Sequence, residues 1–229
     1  MNSSAPLFLL TIRGTLAPAT LDKAREVHNQ TAGAPANVAA AQALGDVSHM
    51  VYVPMQHESH NQPKGAGEFL IMDLWNSLDG LNTFFADSHV QEGGAMIFSQ
   101  RDPVVWAAAE GFTNFHIPAP FGQNERILAV VRGTVKSISE AQGLHNTAIT
   151  KTLSKARKLG ILSHEAYFRM VAPGSPESLE FFAVDVWMRP DGMGDFYSDD
   201  DFLAGFNHLF TAEAADSVWV HPKGDWAEW

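Results

Sequence analysis

Glu68–Phe98 recurs 112 positions later as Glu180–Phe210. Glu68, Phe69, Asp73, Trp75, Asp79, Gly80, Phe84, Asp87 and Phe98 meet Glu180, Phe181, Asp185, Trp187, Asp191, Gly192, Phe196, Asp199 and Phe210 without a gap. A period of this size within 229 residues predicts two copies of one small domain. Further echoes extend the register: Arg13–Gly14–Thr15 with Arg132–Gly133–Thr134, His28–Asn29 with His145–Asn146, Leu44–Gly45 with Leu159–Gly160, and Ser48–His49 with Ser163–His164. The spacing drifts between 119 and 112, so insertions fall in loops. The expected limits are a first domain over 1–111, a linker over 112–125 and a second domain over 126–229.

Each copy reads β-α-β-β-α-β. In the first, Leu7–Arg13 is a buried strand, a helix starts at the N-cap Thr20, and Gly33–Ala34–Pro35 interrupts it before Leu44–Gly45. Ser48–Pro54 and Glu68–Trp75 are strands, Ser77–Phe85 and Val90–Phe98 short helices, and Pro103–Ala109 the last strand. Phe112–Glu125, with two prolines and no periodicity, reads as the linker. The second copy reads Arg126–Thr134, the helix Ser137–Leu159, then Leu162–Met170, Leu179–Met188, two short helices and Ser217–His221. The expected class is α+β: two tandem ferredoxin-like domains whose antiparallel sheets pack their bare faces into an intramolecular barrel.

With 15 basic against 26 acidic residues the net charge is −11, which argues against binding nucleic acid or an anionic membrane. No cysteine is present, so disulfides, thiol nucleophiles and thiolate metal sites drop out. The apolar run near the start is too short for a signal peptide or span, and a soluble, cytoplasmic protein is expected. His57-x-x-His60 with Glu58 has no evident third ligand, and Asp199–Asp200–Asp201 reads as a charged helix start, so no metal site is expected. Nucleotide-binding glycine motifs and a Gly-x-Ser-x-Gly elbow are absent.

Period-two geometry puts Phe69, Ile71, Asp73 and Trp75 on one face of their strand, and Phe181, Ala183, Asp185 and Trp187 on one face of the other. An acid on an apolar face is either paired, with Arg13 or Arg132 as candidate partners, or lines a cleft as a base. His49 and His164 are candidate bases or hydrogen-bonded strand residues. His28–Asn29 and His145–Asn146 either fasten helix to sheet or form a cleft wall, and Trp75 and Trp187 are core residues or substrate platforms.

Ile71–Val90, a strand ending in acidic-x-Trp followed by a Ser/Asp-rich helix start, an aromatic and Asp-Ser-His, resembles the antibiotic biosynthesis monooxygenase domain family of the dimeric α/β-barrel superfamily. The resemblance spans both halves, more loosely in the second, and implies a homodimer fused into one chain. It implies a cleft for an aromatic or quinone-like molecule that some relatives oxidise with O2 and no cofactor. His49, His164, Asp73 or Asp185 would then be the base, with Trp75, Trp187, His28, Asn29, His145, Asn146, Arg13 and Arg132 around the substrate. Heme-degrading relatives carry Asn on the first strand where this chain has Arg13 and Arg132, and His89 lies about four residues late for their histidine. The leading expectation is a cofactor-free monooxygenase on a small molecule, the second a non-catalytic or stress-related binder, and the third a heme-handling protein. A pseudo-dimer within one chain is also expected, with pairing into a homodimer left open and one of the two clefts active.

Overall fold

The computed structural model describes residues 7–55, 67–117 and 126–229. The loop holding His57, Glu58 and His60 lies outside the described residues. The described chain forms two compact units, the first from residues 7–54, 67–107 and 221–229 and the second from Met55, 108–117 and 126–220. Thus 221–229, expected at the end of the second domain, contacts the first unit, and 112–117, expected in the linker, contacts the second.

In the first unit β1 (Phe8–Leu16) is followed by α1 (Leu21–Gln30), α2 (Pro35–Ala43), β2 (Asp46–Pro54), β3 (Glu68–Trp75), α3 (Leu78–Ala86), α4 (Ser88–Ile97) and β4 (Phe98–Ala108). The strands lie in the order β4-β1-β3-β2, each antiparallel to its neighbour. Thr20 caps α1 through Lys23 N–H, and Pro35 opens α2 at a position where its missing N–H costs nothing. The expected interruption is therefore a change of helix. β4 starts at Phe98, well before Pro103, which sits inside the strand opposite Ile12.

The second unit has β5 (Phe115–His116), β6 (Ile127–Thr134), α5 (Ile138–Leu159), β7 (Ile161–Arg169), β8 (Glu180–Trp187), α6 (Pro190–Tyr197), α7 (Asp200–Phe206) and β9 (Ala215–Val220). Its strand order is β9-β6-β8-β7-β5, again antiparallel throughout. Without a proline, the counterpart of α1 and α2 runs as one 22-residue helix, capped by Ser137 and closed by Gly160 in the left-handed conformation (φ 105°). The repeated Asp-Gly has a packing reason. A Cβ on Gly80 would stand 1.7 Å from the Leu44 carbonyl oxygen, and one on Gly192 1.8 Å from that of Leu159.

Alternation along β3 sends Phe69, Ile71 and Trp75 into a core with Ala24, Ala41, Leu81 and Ile97. On α5 the buried stripe is Ala141, His145, Ile149, Thr152 and Ala156, an apolar helical face with a histidine in it. Among the described residues no helix is long and apolar enough to cross a membrane.

Candidate functional site

Each unit joins the same four polar residues in one hydrogen-bonded row, with both histidines buried and the asparagine half-buried. In the first, His28 from α1 meets His49 from β2 at Nε2···Nε2 2.9 Å, and His49 Nδ1 meets Asp73 Oδ1 from β3 at 2.7 Å. Asn29 Oδ1 lies 3.1 Å from His28 Nδ1. In the second, His145 and His164 meet at 2.7 Å, His164 Nδ1 and Asp185 Oδ1 at 2.5 Å, and His145 Nδ1 and Asn146 Oδ1 at 3.1 Å. The register explains the assembly, since His49 stands opposite Asp73 and His164 opposite Asp185 on adjacent strands. All eight residues were candidates from sequence, and the fold joins them four by four.

The protons follow from the partners. Asn29 Nδ2 donates to the Asp225 carbonyl (2.8 Å), and Asn29 Oδ1 accepts from Ala227 N–H (2.9 Å), which fixes the amide. His28 Nδ1 must then carry a proton to donate to that oxygen. Burial first, then the nearby charge of His49, pushes His28 down to about 4, so at neutral pH its Nε2 accepts. His49 Nε2 is therefore the donor. Burial alone would lower His49, but the charge and hydrogen bond of Asp73, aided by Asp46 and Glu228, outweigh it and raise its pKa. Both His49 nitrogens are thus engaged, Nε2 toward His28 and Nδ1 toward Asp73, and the raised pKa favours its protonated form.

The second unit repeats this logic. Asn146 Nδ2 donates to Gly111 O (2.9 Å) and Oδ1 accepts from Thr113 N–H (2.7 Å), while burial and then the charge of His164 push His145 down to about 4. The His164–Asp185 pair thus holds one proton between its facing atoms.

A short strap covers each row. Phe112 lies 5.1 Å from His145, and Phe115 stacks on His164 at 5.9 Å and 27°. Trp226 meets His28 edge-on at 5.2 Å, and Trp229 stacks on His49 at 4.5 Å and 16°. These straps were not foreseen, although Phe112-x-x-Phe115 and Trp226-x-x-Trp229, each shortly past the last strand of its repeat, were the signal.

Other expectations need correction. Asp73 pairs with His49, not with an arginine. Arg13 stands opposite Leu70 while Leu10 stands opposite Asp73, so Arg13 points to the other face, where it pairs with Glu68 at 2.9 Å. Arg132 likewise pairs with Glu180. Neither arginine lines a cavity described here. Trp75 and Trp187 are fully buried core residues behind the cavities rather than platforms, and His89 is exposed.

The two rows open on different spaces. Beside His49 and Asp73 lies a cavity of about 70 Å³ whose walls include Ile12, Ile71 and Phe85. Beside His145, His164 and Asp185 lies one of about 280 Å³. In register, Leu10, Ile12 and Ile71 of the first unit become Ala129, Val131 and Ala183, which removes apolar bulk from the floor. Its upper wall is Ile149, Phe202, Leu203, Phe206 and Leu209.

Two substitutions between copies change the chemistry. Where the first unit has Phe85, the second has Tyr197, whose hydroxyl donates to Asp185 Oδ2 and accepts from Trp187 Nε1–H at 3.2 Å. Burial first, then the charge and hydrogen bond of Asp185, hold this phenol well above the usual tyrosine range. Where the second unit has Ile161, the first has Asp46, which burial and then the charge of Asp73 push up to about 7. Among the described residues no cluster of His, Asp and Glu suits a metal ion.

No protein-family model matches the chain, and no curated protein does. Solved structures do. An anthrone oxidase-like protein superposes with a TM-score of 0.62 at 12% identity, over 97% of this chain and 94% of its own. A presumed monooxygenase of Fusobacterium nucleatum gives 0.62 at 9% identity, over 97% of each chain. DypB of Rhodococcus jostii RHA1, in complex with heme, gives 0.53 at 11% identity, over 97% and 94%. The likeness is one of fold. It extends along almost the whole chain.

Proposed function

We propose that the second unit is a monooxygenase-like active site for a small, flat aromatic molecule, in a chain of the dimeric α/β-barrel superfamily related to antibiotic biosynthesis monooxygenases. The observation that carries this reading is an apolar cavity of about 280 Å³ with a hydrogen-bonded Asp–His–His row on its wall. At interior packing density it holds roughly 200 Å³ of ligand, the size of a two- or three-ring aromatic. The apolar walls exclude water and strengthen the field of the row on a developing anion.

In this reading Asp185 takes a proton from a ring CH2 activated by a neighbouring carbonyl, or from a phenol. His164 and His145 spread the resulting positive charge opposite the substrate anion. The carbanion gives one electron to O2, and the carbon radical and superoxide combine to a peroxide anion. Asp185 returns the proton, and loss of water leaves C=O, so CH2 + O2 becomes C=O + H2O. His164, the imidazole first considered as the base, has both nitrogens engaged and acts through Asp185.

Heme does not fit this cavity's donors. Both nitrogens of His145 and of His164 are held in hydrogen bonds, and the Tyr197 hydroxyl is bonded to Asp185. No step is routed through it.

Anthrone is the first compound to test. The purified chain is expected to consume one O2 per anthrone and to form anthraquinone. Saturable binding of anthrone with no O2 consumption would replace this reading by that of a non-catalytic binder.

A further inference from the structure

Tyr197 brings a hydroxyl to the aspartate of the second site, at a position where the first has Phe85. Phe84 and Phe85 pack on Trp75 with centroids at 5.6 and 6.0 Å, and Phe196 and Tyr197 pack on Trp187 at 5.4 and 5.7 Å. The added oxygen satisfies Trp187 Nε1–H, whereas the buried Trp75 Nε1 has no partner among the described residues. It also occupies the second oxygen of the aspartate, since His164 holds Oδ1 and Tyr197 donates to Oδ2. A hydroxyl has one proton and two lone pairs. The proton goes to Asp185, one lone pair faces Trp187, and the other remains for a ligand in the cavity that Tyr197 lines.

Resting on the monooxygenase reading, we propose that Tyr197 is a catalytic residue that passes the substrate's proton to Asp185. The substrate O–H, or the enol form of the activated CH2, donates to Tyr197 Oη. As that proton arrives, the Tyr197 proton moves to Asp185 Oδ2. The tyrosine is unchanged, one O–H bond is broken in the substrate and one is formed on the carboxylate, and no electrons move in this step. Each oxygen of Asp185 already accepts one hydrogen bond, and Tyr197, which lines the cavity, offers a substrate a route to Oδ2 that keeps both. Phe85 offers the first unit no such entry. The charged and titratable groups facing Tyr197 are Asp185, with His164 behind it, and Asp216 across the cavity wall.

The test is Tyr197→Phe in the full chain, which keeps the ring and its packing. With anthrone, kcat for O2 uptake is expected to fall at least 100-fold while KM changes less than about 3-fold, within the range for a lost acid–base group. A structural role would raise KM and lower stability together. Loss of less than 3-fold in kcat would overturn the proposal. A second readout needs no turnover: 2-naphthol, titrated in the bound state by its absorption, should ionise at lower pH in the native protein than in Tyr197→Phe. Equal ionisation in both would also overturn it. If the native protein consumes no O2 but the naphthol shift depends on Tyr197, the oxidation reading falls and the proton path stands.

Discussion

An indole N–H left without a partner in a core costs about 1–3 kcal/mol, so Trp75 marks a defect that its counterpart lacks. Trp187 avoids it through the Tyr197 hydroxyl, at a position where the first copy keeps Phe85. Phe85 borders the 70 Å³ cavity beside Asp73, so a hydroxyl there has room and two partners in reach, Trp75 Nε1–H and the aspartate. Phe85→Tyr is therefore expected to stabilise the chain by about 1 kcal/mol, the net worth of a buried hydrogen bond. Urea unfolding measures it, and a lowered midpoint with unchanged slope would count against this pairing. Such a hydroxyl should not confer turnover, because Leu10, Ile12 and Ile71 still fill the floor.

The straps act as elements although only two of their residues, Phe115 and His116, form a strand. Each supplies one aromatic against the helix histidine, another stacked on the strand histidine, and two backbone groups that hold the asparagine. That asparagine decides which nitrogen of the helix histidine carries its proton, so a surface strap sets the state of a buried row. Trp226 is 8% exposed and packs on His28 and Phe69. Trp226→Ala should cost about 3–5 kcal/mol, as for other buried large aromatics. It should also let His28 titrate above 4 toward its ordinary range, because burial is the main cause of its depression. Denaturant unfolding and the His28 imidazole proton resonance check the two effects. A loss under 1 kcal/mol with an unmoved resonance would show that the strap only decorates the site. The straps escaped the sequence reading because Pro118 and Pro120 made the surrounding stretch look like a linker, while an aromatic pair lacks the period that marks a helix or strand.

Over the whole molecule, the recurrence of Glu68–Phe98 as Glu180–Phe210 made most elements legible, since each stretch checks the other, and alternation put Asp73 and Asp185 on an inward face. Which side chain answers them was not legible: the sequence offered Arg13 or Arg132, whereas His49 meets Asp73 through strand pairing. The difference in cavity size was present as Leu10, Ile12 and Ile71 against Ala129, Val131 and Ala183, but became readable only with the register. The buried rows also give the whole chain a pH dependence whose sign can be worked out. His28 and His145 titrate near 4 in the fold and near 6.5 unfolded, so between those values the unfolded chain binds two more protons and stability falls on acidification. Asp46 titrates near 7 in the fold and near 3.8 unfolded, so over the same window the fold holds one extra proton and offsets one of the two. His49, raised in the fold, is protonated in both states there and contributes only above its unfolded value, where its stabilisation is lost as pH rises through its folded pKa. The net is one proton over about 2.5 pH units, or about 3 kcal/mol lost between pH 6.5 and 4, and stability also falls above 6.5 as the fold gives up the extra protons of Asp46 and His49. Thermal midpoints from pH 4 to 9 should therefore peak near 6.5. Asp46→Asn removes the offsetting proton and should steepen the acid limb toward two protons. A flat profile, or an acid limb left unchanged by Asp46→Asn, would mean that these groups meet water in the fold and that the rows are not the buried, tautomer-fixed chains described here.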